Sequence, residues 1–268
     1  MPTEPRSTEP PIIDPSLDDG ELAVALVIEA GQLAARMRAE GLETRYKTSI
    51  SDVVTAADIS AEEFVVAALR RARPGDGIVG EEGTDLPGRS GRTWVIDPVD
   101  GTYNFLSGLA YWCSAVALRD RHGVLLGAVS QPSSQETWLG GRDLPTTLNG
   151  RPVQPLVDRP LAEVSLATYL HPTTVGDPDA LSSFLTVLAG AATPRMMGSG
   201  SVDLAGVAGG RIGAWAQHSC PDWDWLPGQA LVEGAGGRTV VLQHGHHRWH
   251  LAGNAVAVAD LVDRLKTA

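Results

Sequence analysis

Residues 94–105 read Trp-Val-Ile-Asp-Pro-Val-Asp-Gly-Thr-Tyr-Asn-Phe. The apolar residues before Asp97 predict a buried strand, and the Asp-Pro pair predicts a turn at its end. Asp97 and Asp100 at such a strand end can ligate a hard cation through carboxylate oxygens. Gly101 lets the backbone approach a ligand, and the N–H groups from Thr102 onward can bind an anion. The stretch therefore indicates metal-assisted chemistry on a phosphate. The alternative is an Asp-Pro turn with solvated carboxylates.

The composition limits the class of protein. A chain of 268 residues can bury a full core, as one large domain or two small ones. Its formal charge of −11 disfavours nucleic acid and anionic membranes as partners. Cys113 and Cys220 have no paired spacing, so a disulfide framework is not expected. This cysteine usage fits a protein of the reducing cytoplasm. No apolar run reaches the roughly 20 residues that span a bilayer. Residues 1–17 are rich in proline and are expected to form a disordered tail rather than a signal peptide.

The order of the predicted elements indicates the type of sheet. Apolar residues at helical spacing predict a first helix from Asp18 to Glu40. Ser60 and Glu63 have capping-box spacing and predict the start of a second helix. Consecutive strands over residues 94–139, without helices between them, predict an antiparallel or mixed sheet rather than a doubly wound one. A turn signal at residues 148–152 predicts a boundary near residue 150.

Five acidic residues lie at the edges of predicted elements: Asp58, Glu81, Asp97, Asp100 and Asp224. Each alone has an ordinary explanation, as a helix cap or a solvated loop residue. Together they would repel one another if clustered, unless cations lay between them. Two or three Mg²⁺ ions would satisfy such a cluster. Because neither cysteine nor a histidine spacing accompanies it, Mg²⁺ or Mn²⁺ is favoured over zinc.

Four segments of the chain resemble, in order, the signatures of the inositol monophosphatase family. They are Lys47…Asp52…Thr55-Ala-Ala-Asp58, Gly80-Glu81-Glu82, residues 94–105, and Trp223-Asp224…Gly228…Ala235-Gly236-Gly237. The resemblance implies a layered α/β fold of the inositol monophosphatase/fructose-1,6-bisphosphatase type, an αβαβα sandwich with mixed and antiparallel sheets. The N-terminal α+β half, residues 18–150, would carry the metal site. The C-terminal α/β half, residues 151–268, would carry the substrate pocket.

The resemblance also implies which groups hold the metals. Glu81, Asp97 and the backbone carbonyl of Val99 would hold a first Mg²⁺. Asp97, Asp100 and Asp224 would hold a second. The expected cofactor is therefore two or three Mg²⁺ ions, with Mn²⁺ as an alternative.

The expected catalytic side chains are Glu81, Thr102 and Asp58. In the resemblance, Glu81 and Thr102 orient the metal-activated water that attacks phosphorus. Glu81, with Asp58 through a water, would help to hold a weaker third ion. Lys47 and Asp52 fall on a loop that is mobile in the family and closes near the metals.

The expected substrate contacts follow from the same likeness. They are Gly101, Thr102, Ser199, Gly200, Gln217 and Asp224, with Asp203 as a further candidate. Gly101 and Thr102 would offer backbone N–H groups to the phosphate. Family members that use inositol phosphate usually carry a glutamate seven residues before the motif aspartate, where this chain has Gln217. A glutamine can hydrogen-bond a hydroxyl but cannot pair with an amine as a carboxylate would.

These expectations predict a Mg²⁺-dependent phosphoric monoester hydrolase that acts on inositol monophosphate or a similar phosphorylated polyol. Alternatives with the same chemistry are a histidinol-phosphate phosphatase, a nucleotide 3′-phosphatase and a fructose-bisphosphatase-like enzyme. The alternative from a different class is a non-catalytic binding protein on the same fold. A cytoplasmic homodimer without nucleic-acid or membrane partners is expected.

Overall fold

Helical and sheet layers alternate in the computed structural model of the chain, which describes residues 12–41, 44–49 and 52–267, with only the backbone for 44–49 and 52–54. The α-helices of this described part are α1 (Asp19–Glu40), α2 (Ala56–Ala72), α3 (Thr102–Leu106), α4 (Pro178–Leu188), α5 (Gly200–Ala208), α6 (Asp222–Gly234) and α7 (Ala255–Thr267), and two short 3-10 helices span Leu161–Glu163 and Pro172–Thr174. The strands are β1 (Thr44–Ser49), β2 (Asp52–Thr55), β3 (Gly77–Gly80), β4 (Asp85–Leu86), β5 (Thr93–Asp100), β6 (Cys113–Asp120), β7 (Gly123–Gln131), β8 (Glu136–Gly141), β9 (Leu144–Leu148), β10 (Arg151–Pro152), β11 (Ser165–Thr168), β12 (Thr193–Arg195), β13 (Ala214–His218), β14 (Arg238–His244) and β15 (His247–Gly253). Among the described helices, none combines the length and the hydrophobicity that a membrane-spanning helix requires.

Two mixed sheets form the body of the protein. The first has eight strands in the order β10-β9-β8-β7-β6-β5-β3-β4, and only its β3–β5 pair is parallel. The second has five strands in the order β12-β11-β13-β15-β14, with β11 parallel to both of its neighbours. Strands β1 and β2 form a separate antiparallel hairpin. The prediction of an antiparallel or mixed sheet is confirmed.

The two faces of β5 show how the layers are built. Side chains alternate along a strand, so Trp94 and Ile96 face the core beneath α1 and α2, whereas Val95 faces the opposite core. That opposite core contains α5 and α6 and continues to the second sheet through Trp215 and Ala252. Helices α4 and α7 cover the outer face of the second sheet. The order helix, sheet, helix, sheet, helix confirms the predicted αβαβα sandwich.

The first helix begins as predicted, and the second does not. Asp18 caps α1 in a capping box with Glu21. Helix α2 begins at Ala56, and its capping box pairs Thr55 with Asp58. The predicted start at Ser60 is therefore wrong, because the chain already turns helical behind the Thr55 hydroxyl, which accepts backbone N–H groups of the first turn.

The N-terminal segment packs earlier than predicted. Residues 1–11 lie outside the described residues, but Ile13 is buried in the core beneath α1 and α2. The Arg73 guanidinium donates to the carbonyls of Pro15 and Leu17 over 3.3 and 2.6 Å. The packed chain therefore begins before residue 18.

The predicted mobile loop falls on the hairpin of β1 and β2. Lys47 lies on β1 and Asp52 on β2. Their side chains lie outside what the structure describes, so the role of this segment stays a prediction. The predicted boundary near residue 150 falls beside β10, after which the chain leaves the first sheet for the second.

A seam of close backbone contacts joins the N-terminal half to the C-terminal half. The Asn104 amide donates to the carbonyl of Tyr111 over 2.8 Å and to that of Met197, in the other half, over 2.7 Å. Gly101 has a φ of +90°, and a Cβ there would lie 3.0 Å from the Gly198 carbonyl oxygen. Only glycine fits this approach without strain. The seam therefore fixes residues 197–200 against the turn that follows β5.

Asn104 should be essential to this seam, because its amide supplies donors to both halves. We expect Asn104→Ala to lower the free energy of unfolding by about 1–3 kcal/mol, since two carbonyls lose their donor. Asn104→Asp should cost more at pH 7, since a carboxylate of the same shape would face two carbonyl oxygens. Urea unfolding of both variants checks the order, and an aspartate variant as stable as the wild type would contradict it.

Candidate metal centre

An irregularity in β5 brings Asp97 and Asp100 to the same side of the sheet. Three steps along β5, from Asp97 to Asp100, are matched by two along β6, from Ala115 to Cys113. Side chains three residues apart on a regular strand would point to opposite faces. The additional residue of the bulge lets both carboxylates face the same site. Both side chains are buried.

Asp224 completes a group of three carboxylates. It lies in the first turn of α6, the helix that packs between the two sheets. Asp97, Asp100 and Asp224 each place one carboxylate oxygen within 4.8 Å of the others. Residues far apart in the chain are thus brought together, as the sequence predicted, and oxygen donors in this arrangement suit Mg²⁺ or Mn²⁺.

Glu81 contacts one member of this group, Asp97, from the end of the neighbouring strand. Strand β3 runs parallel to β5, and the Glu81 N–H donates to the Ile96 carbonyl over 3.1 Å. Glu81 is therefore the first residue beyond β3, beside Asp97. The Glu81 carboxyl contacts that of Asp97, and its charge adds to the effect of burial in raising the pKa of Asp97.

Asp97 is buried beside other carboxylates that carry the same charge. Burial raises the pKa of Asp97 well above its ordinary value, and the charges of Glu81, Asp100 and Asp224 raise it further. Its Oδ1 atom is buried and has no hydrogen-bond partner among the described residues. A buried carboxylate oxygen without a donor is costly. A cation beside Asp97 would remove both the repulsion and the missing contact, so the residues present fit a bound divalent metal.

Asp100 is supported from the other half of the protein. Its Oδ2 atom accepts the Ser199 hydroxyl over 2.9 Å and the Ser201 N–H over 2.5 Å, both at the start of α5. The Cys113 thiol lies 3.9 Å away. Burial raises the pKa of Asp100, and the bonds from Ser201 and Ser199 partly offset this effect. These three contacts all involve Oδ2 of Asp100.

Asp58 lies in the first turn of α2 and is not one of the three clustered aspartates. Its carboxylate accepts the Thr55 hydroxyl and N–H, which fixes it at the start of α2. The Thr102 hydroxyl lies 3.1 Å from Asp58 Oδ1 and 3.0 Å from the Val99 carbonyl oxygen, and can donate to one of them at a time. Burial raises the pKa of Asp58. The Thr102 hydroxyl therefore lies between Asp58 and the carbonyl of Val99, a predicted metal ligand.

Comparison with known proteins places this geometry in a family. The family model described as "Inositol monophosphatase family" matches residues 19–266. This chain belongs to the inositol monophosphatase family. It is 34% identical over 219 residues to the inositol-1-monophosphatase of Rhizobium meliloti, covering 80% of this chain and 82% of the relative. It is also 34% identical over 226 residues to the Nus factor SuhB of Pseudomonas aeruginosa, covering 81% and 82%.

Solved structures of family members share the fold. The extragenic suppressor protein suhB of Bartonella henselae superposes with a TM-score of 0.83 at 27% identity, over 92% of this chain and 98% of that one. The inositol monophosphatase of Anabaena superposes with a TM-score of 0.80 at 25% identity, over 93% and 95%. The αβαβα sandwich is therefore the fold of the inositol monophosphatase family.

The residues predicted to contact the substrate lie on several different elements of the fold. Gly101 lies at the seam, at the start of α3. Gly200 begins α5, and Gln217 lies half-buried on β13, opposite His250 of β15. Ser199 is buried, and its hydroxyl contacts Asp100, the Cys113 thiol and the N–H of Val202. A role in substrate binding stays a prediction for all of them.

Some supporting residues were not found from the sequence. Ser201 and Cys113 contact Asp100, and Thr55 fixes Asp58. Thr55 carried a signal, since it stands three residues before Asp58, the spacing of a capping box. Ser201 contacts Asp100 through its backbone N–H. Almost every residue type has this group, so the sequence alone does not indicate the contact.

The described part of the chain also contains a cavity of about 300 Å³. It is lined by residues of β7, β8, β12 and α5, including Trp138, Arg195 and Val202. None of the predicted site residues lines it. The Arg211 side chain in its wall is neutralised by two 2.7 Å bonds to Glu136.

Asp203 should make the stability of the protein depend on pH. It is buried on α5, it accepts the Tyr111 hydroxyl over 2.7 Å, and burial raises its pKa from 3.8 to about 8. Between these values the folded state binds more protons than the unfolded state. The contribution of Asp203 to stability therefore falls as the pH rises from about 4 to 8, by at most ~1.4 kcal/mol per pH unit.

Asp203→Asn removes this titration and keeps an oxygen that can accept the Tyr111 hydroxyl. Denaturant unfolding at pH 5 and pH 8 measures the effect. We expect the variant to lose less stability than the wild type between these values, so that its relative advantage is larger at pH 8. Parallel pH profiles for the two proteins would contradict the assignment.

Proposed function

We propose that this chain is a Mg²⁺-dependent phosphatase that hydrolyses a small phosphate monoester, with inositol monophosphate as the first candidate substrate. The observation that carries the proposal is the buried, unpartnered Oδ1 of Asp97 within a group of three aspartates. Family membership supports the reaction class, and the inositol-1-monophosphatase relative supports the substrate.

The side chains that would hold the metals are those of Glu81, Asp97, Asp100 and Asp224, with the carbonyl of Val99. Bound Mg²⁺ would supply an activated water and would neutralise charge on the phosphate. The protein's own contribution is mainly to position the reacting groups and to stabilise charge. The bulge in β5 and the support of Asp100 from α5 both serve this positioning.

Thr102 and Asp58 would orient the attacking water and accept its proton. The Thr102 hydroxyl, with the Asp58 carboxylate 3.1 Å behind it, would orient the water together with Glu81. The raised pKa of Asp58 would make its carboxylate a better proton acceptor at neutral pH. Backbone N–H groups of Gly101 and Thr102 would bind phosphate oxygens.

Gln217 would contact the alcohol half of the substrate. It offers both a donor and an acceptor to a hydroxyl, but no negative charge to an amine. This favours a polyol phosphate over histidinol phosphate. Rates of phosphate release from a panel of inositol 1-phosphate, histidinol phosphate, fructose 1,6-bisphosphate and 3′-phosphoadenosine phosphate test this substrate preference. Turnover of inositol 1-phosphate is expected to be the fastest, and preference for another member would reassign the substrate.

A second candidate is a role as a Nus factor, favoured by relatives with that name at 34% and 31% identity. The formal charge of −11 weighs against a surface that binds nucleic acid through phosphate contacts. Turnover decides between the candidates. Absence of Mg²⁺-dependent phosphate release across the panel, in protein that binds the metal, would favour the non-catalytic role.

Asp97→Asn and Asp224→Asn should abolish turnover while the fold survives. We expect phosphate release to fall by about 100-fold or more, since replacing even an outer partner of a metal site costs 10- to 100-fold. In metal-free protein, Asp97→Asn should not lower the unfolding midpoint, because it removes a buried charge that its neighbours repel.

The matched control is Asp143→Asn, a change at an exposed residue between β8 and β9. It should leave both turnover and stability unchanged. Wild-type rates in Asp97→Asn or Asp224→Asn would exclude these residues as metal ligands.

A further inference from the structure

Glu62 is a buried carboxylate that the proposed reaction does not use. It lies on α2 one turn after Asp58, so that both acids are on the same side of the helix. Only 3% of Glu62 is exposed, whereas the adjacent Glu63 is on the solvent side. A buried carboxylate is costly unless it is well hydrogen-bonded, so its contacts should explain its position.

Both oxygens of Glu62 are used by the turn that carries Glu81. Oε2 accepts the Glu82 N–H over 2.8 Å, and Oε1 accepts the Thr84 N–H over 3.1 Å. The Gly80 N–H closes the same turn by donating to the Thr84 carbonyl over 2.8 Å. The carboxylate thus spans the turn from residue 80 to residue 84 and fixes it to α2.

Gly80 shows how closely this carboxylate fits. A Cβ on Gly80 would lie 2.4 Å from the Glu62 carboxyl carbon and from Oε2. Any larger residue at this position would displace the carboxylate from its two N–H donors. The glycine before Glu81 is therefore explained by the space that Glu62 occupies.

The turn held by Glu62 determines where the Glu81 carboxyl lies. Glu81 is bonded through its N–H to Ile96, and its side chain contacts Asp97. If the turn shifted, the Glu81 carboxyl would move relative to Asp97, although neither residue had changed.

We propose that Glu62 is a positioning residue that sets the metal affinity of the site by fixing the turn that carries Glu81. This inference rests on the metal-dependent function proposed above. It assigns Glu62 no contact with the metal, because both of its oxygens are bonded to backbone N–H groups. Helix α2 then supports the site twice, through Asp58 beside Thr102 and through Glu62 beside Glu81.

The test is Mn²⁺ binding to the full-length protein without substrate, measured from the electron paramagnetic resonance signal of free Mn²⁺. Glu62→Gln keeps the shape but presents an amide N–H₂ to one of the two N–H donors. Its dissociation constant should rise about 10-fold or more, the range seen when outer partners of metal sites are replaced. Glu62→Asp keeps the charge but is too short to reach both N–H groups, so it should also weaken binding. Glu63→Gln, the matched control, should bind Mn²⁺ as the wild type does.

A double-variant cycle separates positioning from a general loss of stability. Gly80→Ala should weaken Mn²⁺ binding in the wild type, because it displaces the Glu62 carboxylate. In a Glu62→Ala background the same change should have little further effect, because the colliding group is absent. Additive losses of affinity would overturn the proposal, as would wild-type Mn²⁺ affinity in Glu62→Gln or Glu62→Asp.

This test is independent of the reaction. Phosphate release by the wild type decides the proposed phosphatase function, whereas the Mn²⁺ affinities of the variants decide the role of Glu62. A wild type that binds Mn²⁺ but releases no phosphate would reject the function and leave the Glu62 comparison intact. An active wild type with unchanged Mn²⁺ affinity in Glu62→Gln would reject only the role of Glu62.

Discussion

Repulsion among carboxylates is the constraint on which the rest of this structure depends. Asp97, Asp100 and Asp224 hold oxygen atoms within 4.8 Å of one another, and the first two are buried. Without positive charge nearby, such a group raises its own pKa values and destabilises the fold. The protein keeps the group together nonetheless, as expected if the group holds the divalent cations proposed above.

The surrounding elements resist this repulsion from both halves of the chain. The bulge in β5 aims two of the aspartates at one site, and the start of α5 donates to Asp100 from the other half. Asn104 fixes the seam between the halves beside them. Helix α2 supplies Asp58 and Glu62, which hold Thr102 and the Glu81 turn. The acidic side chains are thus positioned by hydrogen bonds from neighbouring elements.

Local pattern predicted the mixed sheet and the acidic residues, whereas the αβαβα layers were expected only from the resemblance to the family. Residues 94–105 predict the strand and its acidic turn, and the order of strands predicts a mixed sheet. The start of α2 was missed because Ser60–Glu63 has a capping-box spacing and Thr55–Asp58 has a similar one. Local sequence does not show which of them packs beneath the site. The contact between Ser199 and Asp100 depends on packing between residues 99 positions apart.

The central claim is that the three aspartates hold divalent metal, and anomalous diffraction from crystals grown with Mn²⁺ tests it most directly. We expect at least one anomalous peak between the carboxylates of Asp97, Asp100 and Asp224, with Mn–O distances in the ~2.0–2.6 Å range typical of hard divalent cations. Glu81 should lie beside it. Fully occupied Mn²⁺ at other positions, with none at these carboxylates, would contradict the account.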